Sequence, residues 1–162
     1  MILVTVGHSP WHVERLMRAV EELAQMIDEE IIVQRGNTSY KPKNTNHFQF
    51  ASGKEMEELT SKARIVIAHA AAGASLLALK YQKGLILVPR LRKYKENYND
   101  HQIQLAKALH DSGRAIWVKE PTGQNLFKAL NDVEKIKTKE HKTKELVNYL
   151  HKLLKDWEEQ TI

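Results

Sequence analysis

Short runs of apolar residues recur along the first 90 positions, and the segments between them carry a helical period. The runs cover residues 2–6, 31–33, 65–68 and 85–88 and are apolar almost throughout. A strand with one wet face alternates apolar and polar residues, so runs without alternation belong to strands covered on both faces. Between them, Val13, Leu16, Met17, Val20, Leu23, Ala24 and Ile27 keep a helical spacing after Pro10. Met56, Leu59 and Ala63 do the same behind Ser52, an N-cap residue with Glu55 placed to complete a capping box. Leu76, Leu77, Leu79 and Tyr81 lead to a stop at Gly84; Ile103, Leu105, Ala106 and Leu109 lead to one at Gly113. Two further strands are expected, one over 115–118 and a short one over 47–51 around Phe48 and Phe50. Strands alternating with helices in this way imply an α/β fold, Rossmann-like and doubly wound, with a mainly parallel sheet and helices on both faces.

The end of the chain reads differently. Leu126, Leu130 and Val133 suggest one helix after Thr122, and residues 135–144 are mostly charged. Leu146, Leu150, Leu153, Leu154 and Trp157 then form a helical stripe. The expected organisation is an α/β domain over 1–120 and a helical extension over 121–162. The stripe fits a helix packed on its own domain, one docked on a partner protein, or one lying on a membrane surface.

Composition narrows the classes. A chain of 162 residues fits one domain. The absence of cysteine excludes disulfides and thiolate metal sites. No run approaches the roughly 18 apolar residues of a membrane span. The start lacks the basic residues and cleavage site of a secretory signal. These points favour the cytosol. The formal charge of +5 suits phosphate, anionic lipid or nucleic acid, and equally an ordinary basic surface. Arg90, Arg92, Lys93 and Lys95 concentrate that charge in one loop, but no nucleic-acid-binding module or stacking platform accompanies them. A solvated loop or a lid over a diphosphate suits them better, and no nucleic acid is expected as partner.

In a doubly wound fold, ligands sit beyond the carboxyl ends of the strands. The loops to watch are therefore 7–11, 34–40, 69–75 and 89–102. His69, Ala70, Ala71, Ala72, Gly73, Ala74 and Ser75 make the strongest local feature. Small residues let the backbone approach a ligand, and the following helix would turn its N-terminal N–H groups toward an anion such as pyrophosphate. The same small residues also suit close packing of helix on strand. Gly7, His8 and Ser9 offer backbone donors and a hydroxyl, or form a simple turn. Asp100 reads as an N-cap. Gln102 can donate to and accept from a sugar hydroxyl. The dinucleotide glycine fingerprint and the P-loop are both absent. His-Glu-x-x-His and Gly-x-Ser-x-Gly are absent as well, so neither a metal site nor an in-chain nucleophile is expected.

The order of these segments is more specific than any one of them. Val4-Thr5-Val6-Gly7 comes first, then residues 34–40 (Gln-Arg-Gly-Asn-Thr-Ser-Tyr) and 67–73 (Ile-Ala-His-Ala-Ala-Ala-Gly). Val88-Pro89-Arg90 and residues 94–102, which hold Glu96 and end in Asp100-His101-Gln102, follow. Over residues 1–120 this resembles the C-terminal-domain family of the GT-B glycosyltransferases, the group of the lipid II-forming N-acetylglucosaminyltransferase. It is most similar to the stand-alone catalytic subunits of split N-acetylglucosaminyltransferases and their exopolysaccharide counterparts.

The resemblance implies a donor-binding catalytic subunit that moves a sugar from a UDP-sugar to a lipid-linked acceptor. That sugar would be N-acetylglucosamine or a related hexose or uronate. Gly7, His8 and Ser9 match the first glycine loop, and the segment from His69 to Gly73 matches the diphosphate loop. His101 and Gln102 match the sugar-facing pair, and Glu96 the acid before it. Arg90 belongs to the same substrate-binding set. His8 and His69 are the candidates for a catalytic role, and no cofactor is implied. A membrane-attached, acceptor-binding partner is implied too, docked by the C-terminal stripe, which would hold the chain at the cytosolic membrane face. Ala71 stands where glycine is typical, and Leu77 near where many members carry a ribose-binding acid. Those departures favour an alternative, a catalytically silent nucleotide-sugar-binding subunit. A domain derived from a nucleotide-sugar epimerase is a third.

Overall fold

A computed structural model describes residues 1–136 of the chain. The chain order begins β1 (Ile2–Thr5), α1 (Glu14–Ala24), β2 (Ile31–Gln34), β3 (Asn46–Phe48) and α2 (Gly53–Lys62). It continues β4 (Ile65–Ala68), α3 (Ala72–Lys80), β5 (Gly84–Leu87), α4 (His101–Asp111), β6 (Ile116–Trp117) and α5 (Gly123–Val133). The strands form one sheet in the order β3-β2-β1-β4-β5-β6, every pair parallel. This is the doubly wound arrangement expected from the apolar runs.

The alternation of side chains along each strand divides the core in two. Ile2, Val4, Ile65, Ile67 and Ile86 face α1 and α5. Leu3, Val66, Ala68, Leu85 and Leu87 face α3 and α4, with Met56 and Leu59 of α2 packed at the margin. Strands buried on both faces need no polar side, which is why the sequence shows none.

The edges depart from the sequence reading. The strand expected over 47–51 is shorter and earlier, because only Asn46–Phe48 pairs with β2. Phe50, expected inside that strand, stands 43% exposed. The first helix stops at Ala24, and Ile27 packs against the core from the turn beyond it. The strand expected over 115–118 keeps only Ile116–Trp117, although the Val118 N–H still donates to the Leu87 carbonyl.

The helix after Thr122 belongs to the α/β core. Leu126, Ala129, Leu130 and Val133 share one apolar cluster with Val4 and Val20. The start of α5 lies tight against α1: a Cβ on Gly123 would sit 2.5 Å from that of Glu22. The Gly123 N–H donates to the Glu22 carboxylate at 2.7 Å. The charged stretch from 137 and the Leu146–Trp157 stripe lie outside the described residues.

Candidate functional site

The order of the sheet reverses between β1 and β4. The chain leaves β1 toward α1 on one face and leaves β4 toward α3 on the other. The two connections diverge, and a crevice opens at the carboxyl ends of these strands. Gly7 and His69 stand there, one after each strand.

They are in contact. Gly7 has a left-handed backbone, φ +70°. A Cβ on it would sit 2.9 Å from Cε1 of the His69 imidazole. The imidazole is fixed from behind, its Nδ1–H donating to the Thr5 carbonyl at 3.2 Å. Gly36, after β2, also has positive φ, and a Cβ there would lie 2.6 Å from the Gly7 carbonyl oxygen.

Gln34, at the end of β2, holds this turn from both sides. Its Oε1 accepts from the Thr5 hydroxyl at 2.6 Å and the Gly7 N–H at 3.0 Å. Its Nε2 donates to the Gly7 carbonyl at 2.9 Å and the Gln49 carbonyl at 3.4 Å. The residue is buried, so every one of these polar groups depends on a protein partner.

After β4, Ala70 takes positive φ, rare for a residue with a Cβ, and turns the chain into α3. The α3 N-terminus has Ala71 at its cap position, no side-chain cap and no acid in its first turn. The leading N–H groups of such a helix, together with its dipole, favour an anion. Beside it lies a cavity of about 430 Å³. Gly7, His8, His69, Ala71, Gly73 and Ala74 line it, together with Met56, Thr60, Val66 and Leu77. Among the described residues no carboxylate lines it. His8 stacks on Phe50, ring centroids 5.3 Å apart.

Other candidate residues point elsewhere. The Ser75 hydroxyl donates back to the Ala71 carbonyl at 2.9 Å, within its own helix. Ser9 accepts from the Trp11 N–H at 3.3 Å. Ala70 is buried and Ala72 half-buried, and neither lines the cavity. Asp100 occupies the cap position of α4, but its side chain makes no cap bond and accepts instead from the Arg92 N–H.

Arg90, Glu96 and Gln102 form a second cluster, beyond β5. Glu96 is buried and holds Arg15 of α1 at 2.9–3.0 Å through both oxygens. It also accepts from the Leu91 N–H. Arg15 reaches the Pro89 carbonyl at 2.5 Å. The Gln102 Oε1 accepts from the Arg90 N–H at 2.9 Å. His101, at the first turn of α4, is half-buried, and its N–H donates to Asn99.

Burial and the nearby Arg90 charge push the His69 imidazole down to about 4, against the pull of the Thr5 carbonyl. His69 is therefore neutral at pH 7. Its folded value lies below the unfolded one, so its contribution to stability is fully present above pH 6.5 and is lost as pH falls toward 4. The interval corresponds to about 3 kcal/mol. Urea denaturation at pH 7.5, 6 and 5 is expected to show a shallower pH dependence in His69→Gln than in the native chain. Equal slopes would exclude a buried neutral imidazole.

The sequence matches the family described as the glycosyltransferase family 28 C-terminal domain over residues 1–159. The chain belongs to that family. No curated protein matches it. As a family 28 C-terminal domain it shares its fold with one domain of GT-B enzymes. Against the glycotransferase of kitacinnamycin the TM-score is 0.62 at 14% identity, over 83% of this chain and 35% of that one. Against Acinetobacter baumannii MurG it is 0.58 at 19% identity, over 92% and 49%. Against the Methanocaldococcus jannaschii UDP-GlcNAc 2-epimerase, solved with UDP-GlcNAc and UDP, it is 0.62 at 15%, over 93% and 44%. The family 28 domain thus spans between a third and a half of these proteins. No helix among the described residues is long and apolar enough to cross a membrane.

Thr5 and Gln34 are the residues that support the site most directly and were not singled out from the sequence as site residues. Their signals are polarity late in an otherwise apolar run and a place in the ordered segments 4–7 and 34–40. Arg15 gave none, since it falls on the polar side of an amphipathic helix.

Proposed function

We propose that the chain is the donor-binding half of a glycosyltransferase, taking a UDP-sugar at the crevice between β1 and β4. The observation that carries this reading is the meeting of Gly7, His69 and an uncapped, acid-free α3 N-terminus on one cavity. The diphosphate lies against the Gly7 turn and the first turn of α3, and the nucleoside extends into the apolar cavity. An acceptor hydroxyl attacks the anomeric carbon, the bond from that carbon to the diphosphate oxygen breaks, and the leaving diphosphate keeps the electron pair. The helix end stabilises that developing charge. His69 serves as the rigid support of Gly7; a neutral, buried imidazole of such low basicity is a poor general base at pH 7. His8, exposed and stacked on Phe50, contacts the donor.

The acceptor half and the general base come from a second, membrane-attached polypeptide that presents a lipid-linked acceptor. The support is the resemblance of residues 1–120 to the stand-alone catalytic subunits of split enzymes. The C-terminal segment around Leu146, Leu150, Leu153, Leu154 and Trp157 is the docking element in this account, and it keeps the chain at the cytosolic membrane face. Copurification with candidate membrane partners, followed by transfer from radiolabelled UDP-sugars, tests it. Transfer is expected only when chain and partner are combined. Full activity of the chain alone would exclude the split arrangement. UDP binding without transfer in any complex would favour the silent subunit, and donor conversion without acceptor the epimerase.

A further inference from the structure

Most polar side chains of the cavity beside α3 are already spent within the protein. The Thr5 hydroxyl donates to Gln34 Oε1, and both groups of the Gln34 carboxamide serve the Gly7 turn. The Thr60 hydroxyl, buried in α2, gives its proton to the Met56 carbonyl at 2.7 Å. The other two, His8 and His69, adjoin Gly7: one follows it in the chain and the other packs on it. The rest of the lining is glycine or apolar, with Met56 from α2, Val66 from β4 and Leu77 from α3 as its largest members. Where α2, β4 and α3 form the cavity, the described residues offer no carboxylate, no carboxamide and no free side-chain donor. A ribose that enters there loses water from its hydroxyls and gains no side-chain partner in return.

We propose that the site binds its nucleotide without reading the ribose 2′-hydroxyl, so that 2′-deoxyribonucleoside diphosphate sugars are donors alongside UDP-sugars. This rests on the donor-binding reading above, in which the diphosphate is held at Gly7 and the α3 N-terminus and the nucleoside enters the cavity. The cavity has room for it: about 430 Å³ lies within the range of about 300–1,000 Å³ of small-molecule sites. A site built to hydrogen-bond a hydroxyl rejects the analogue that lacks it by about 10⁴–10⁵-fold, whereas an apolar pocket rejects the added hydroxyl by up to about a hundredfold. A wall of Met56, Val66 and Leu77 belongs to the second case.

Calorimetric titration of the full chain with UDP and 2′-deoxy-UDP tests the inference. The deoxynucleotide is expected to bind within about twofold of UDP or more tightly, by up to about tenfold. Leu77→Gln brings a carboxamide that can donate and accept into the cavity, and should turn the ratio of affinities toward UDP by about threefold or more. In the native chain, binding of UDP more than about twofold tighter than its deoxy analogue would show a bonded hydroxyl and overturn the inference. That comparison holds whether or not the variant folds, and it leaves the donor reading intact. An unchanged ratio in a folded Leu77→Gln chain would take the ribose away from α3 and overturn the inference too. Binding of neither nucleotide would remove the donor reading and this inference together.

Discussion

Gly7→Ala is expected to weaken UDP binding by more than about tenfold and to cost about 1–3 kcal/mol of stability. Two effects coincide at this residue. Its φ of +70° is one that an L side chain adopts only with strain. The added methyl would also sit 2.9 Å from the His69 ring. That ring cannot yield easily, being 4% exposed and bonded to the Thr5 carbonyl. Relief must come from the Gly7 turn itself, the element assigned to the diphosphate. Calorimetry reads the affinity and urea denaturation the stability. A variant as stable and as tight as the native chain would show that the turn neither is strained by the methyl nor touches the ligand.

The second large effect is expected at Gln34. Gln34→Leu keeps the bulk and removes both functions of the carboxamide. The Gly7 carbonyl loses its 2.9 Å donor, and the Gly7 N–H keeps only the Thr5 hydroxyl at 3.4 Å. The Thr5 hydroxyl loses its 2.6 Å acceptor. Each buried group left unmet costs about 1–3 kcal/mol, and the bonds are cooperative, so a total loss of about 2–5 kcal/mol is expected. The loss should appear as a lower urea midpoint at unchanged slope. UDP affinity should fall with it, because the turn is no longer held. A loss below about 0.5 kcal/mol, the range of ordinary surface substitutions, would mean that the turn holds itself.

Both residues show what the sequence could disclose. The strands were legible because burial on both faces leaves apolar runs with no alternation, and parallel order follows from the helices between them. The capping box of α2 was legible too: Ser52 accepts from the Glu55 N–H, and Glu55 accepts from the Ser52 N–H. Such a box is a contact between near neighbours, and its spacing is fixed in the chain. The edge strand β3 was misplaced because an edge carries little burial, and Phe48 and Phe50 signalled an apolar face that the fold leaves largely open.

At the site, loops could be read but partnerships could not. The small residues after β4 and the glycine after β1 were evident; that His69 stands against Gly7 was not. Glu96 was placed in the substrate-binding set as the acid before His101 and Gln102; its bond to Arg15, a residue 81 positions away, has no pattern linking the two. Asp100 read as a helix cap, yet its side chain fixes the preceding loop at Arg92. Long-range ion pairs of this kind leave no period in the sequence. They require the fold first.

The central claim is that an anionic nucleotide occupies the crevice between β1 and β4. Titration of the ¹⁵N-labelled full chain with UDP, followed by amide NMR, tests it most directly. Saturable shifts are expected, concentrated on the N–H groups of Gly7, Ala72, Gly73 and Ala74, with smaller ones at Gly53 and Met56, which also line the cavity. Shifts absent at saturating UDP, or confined to another part of the surface, would contradict it.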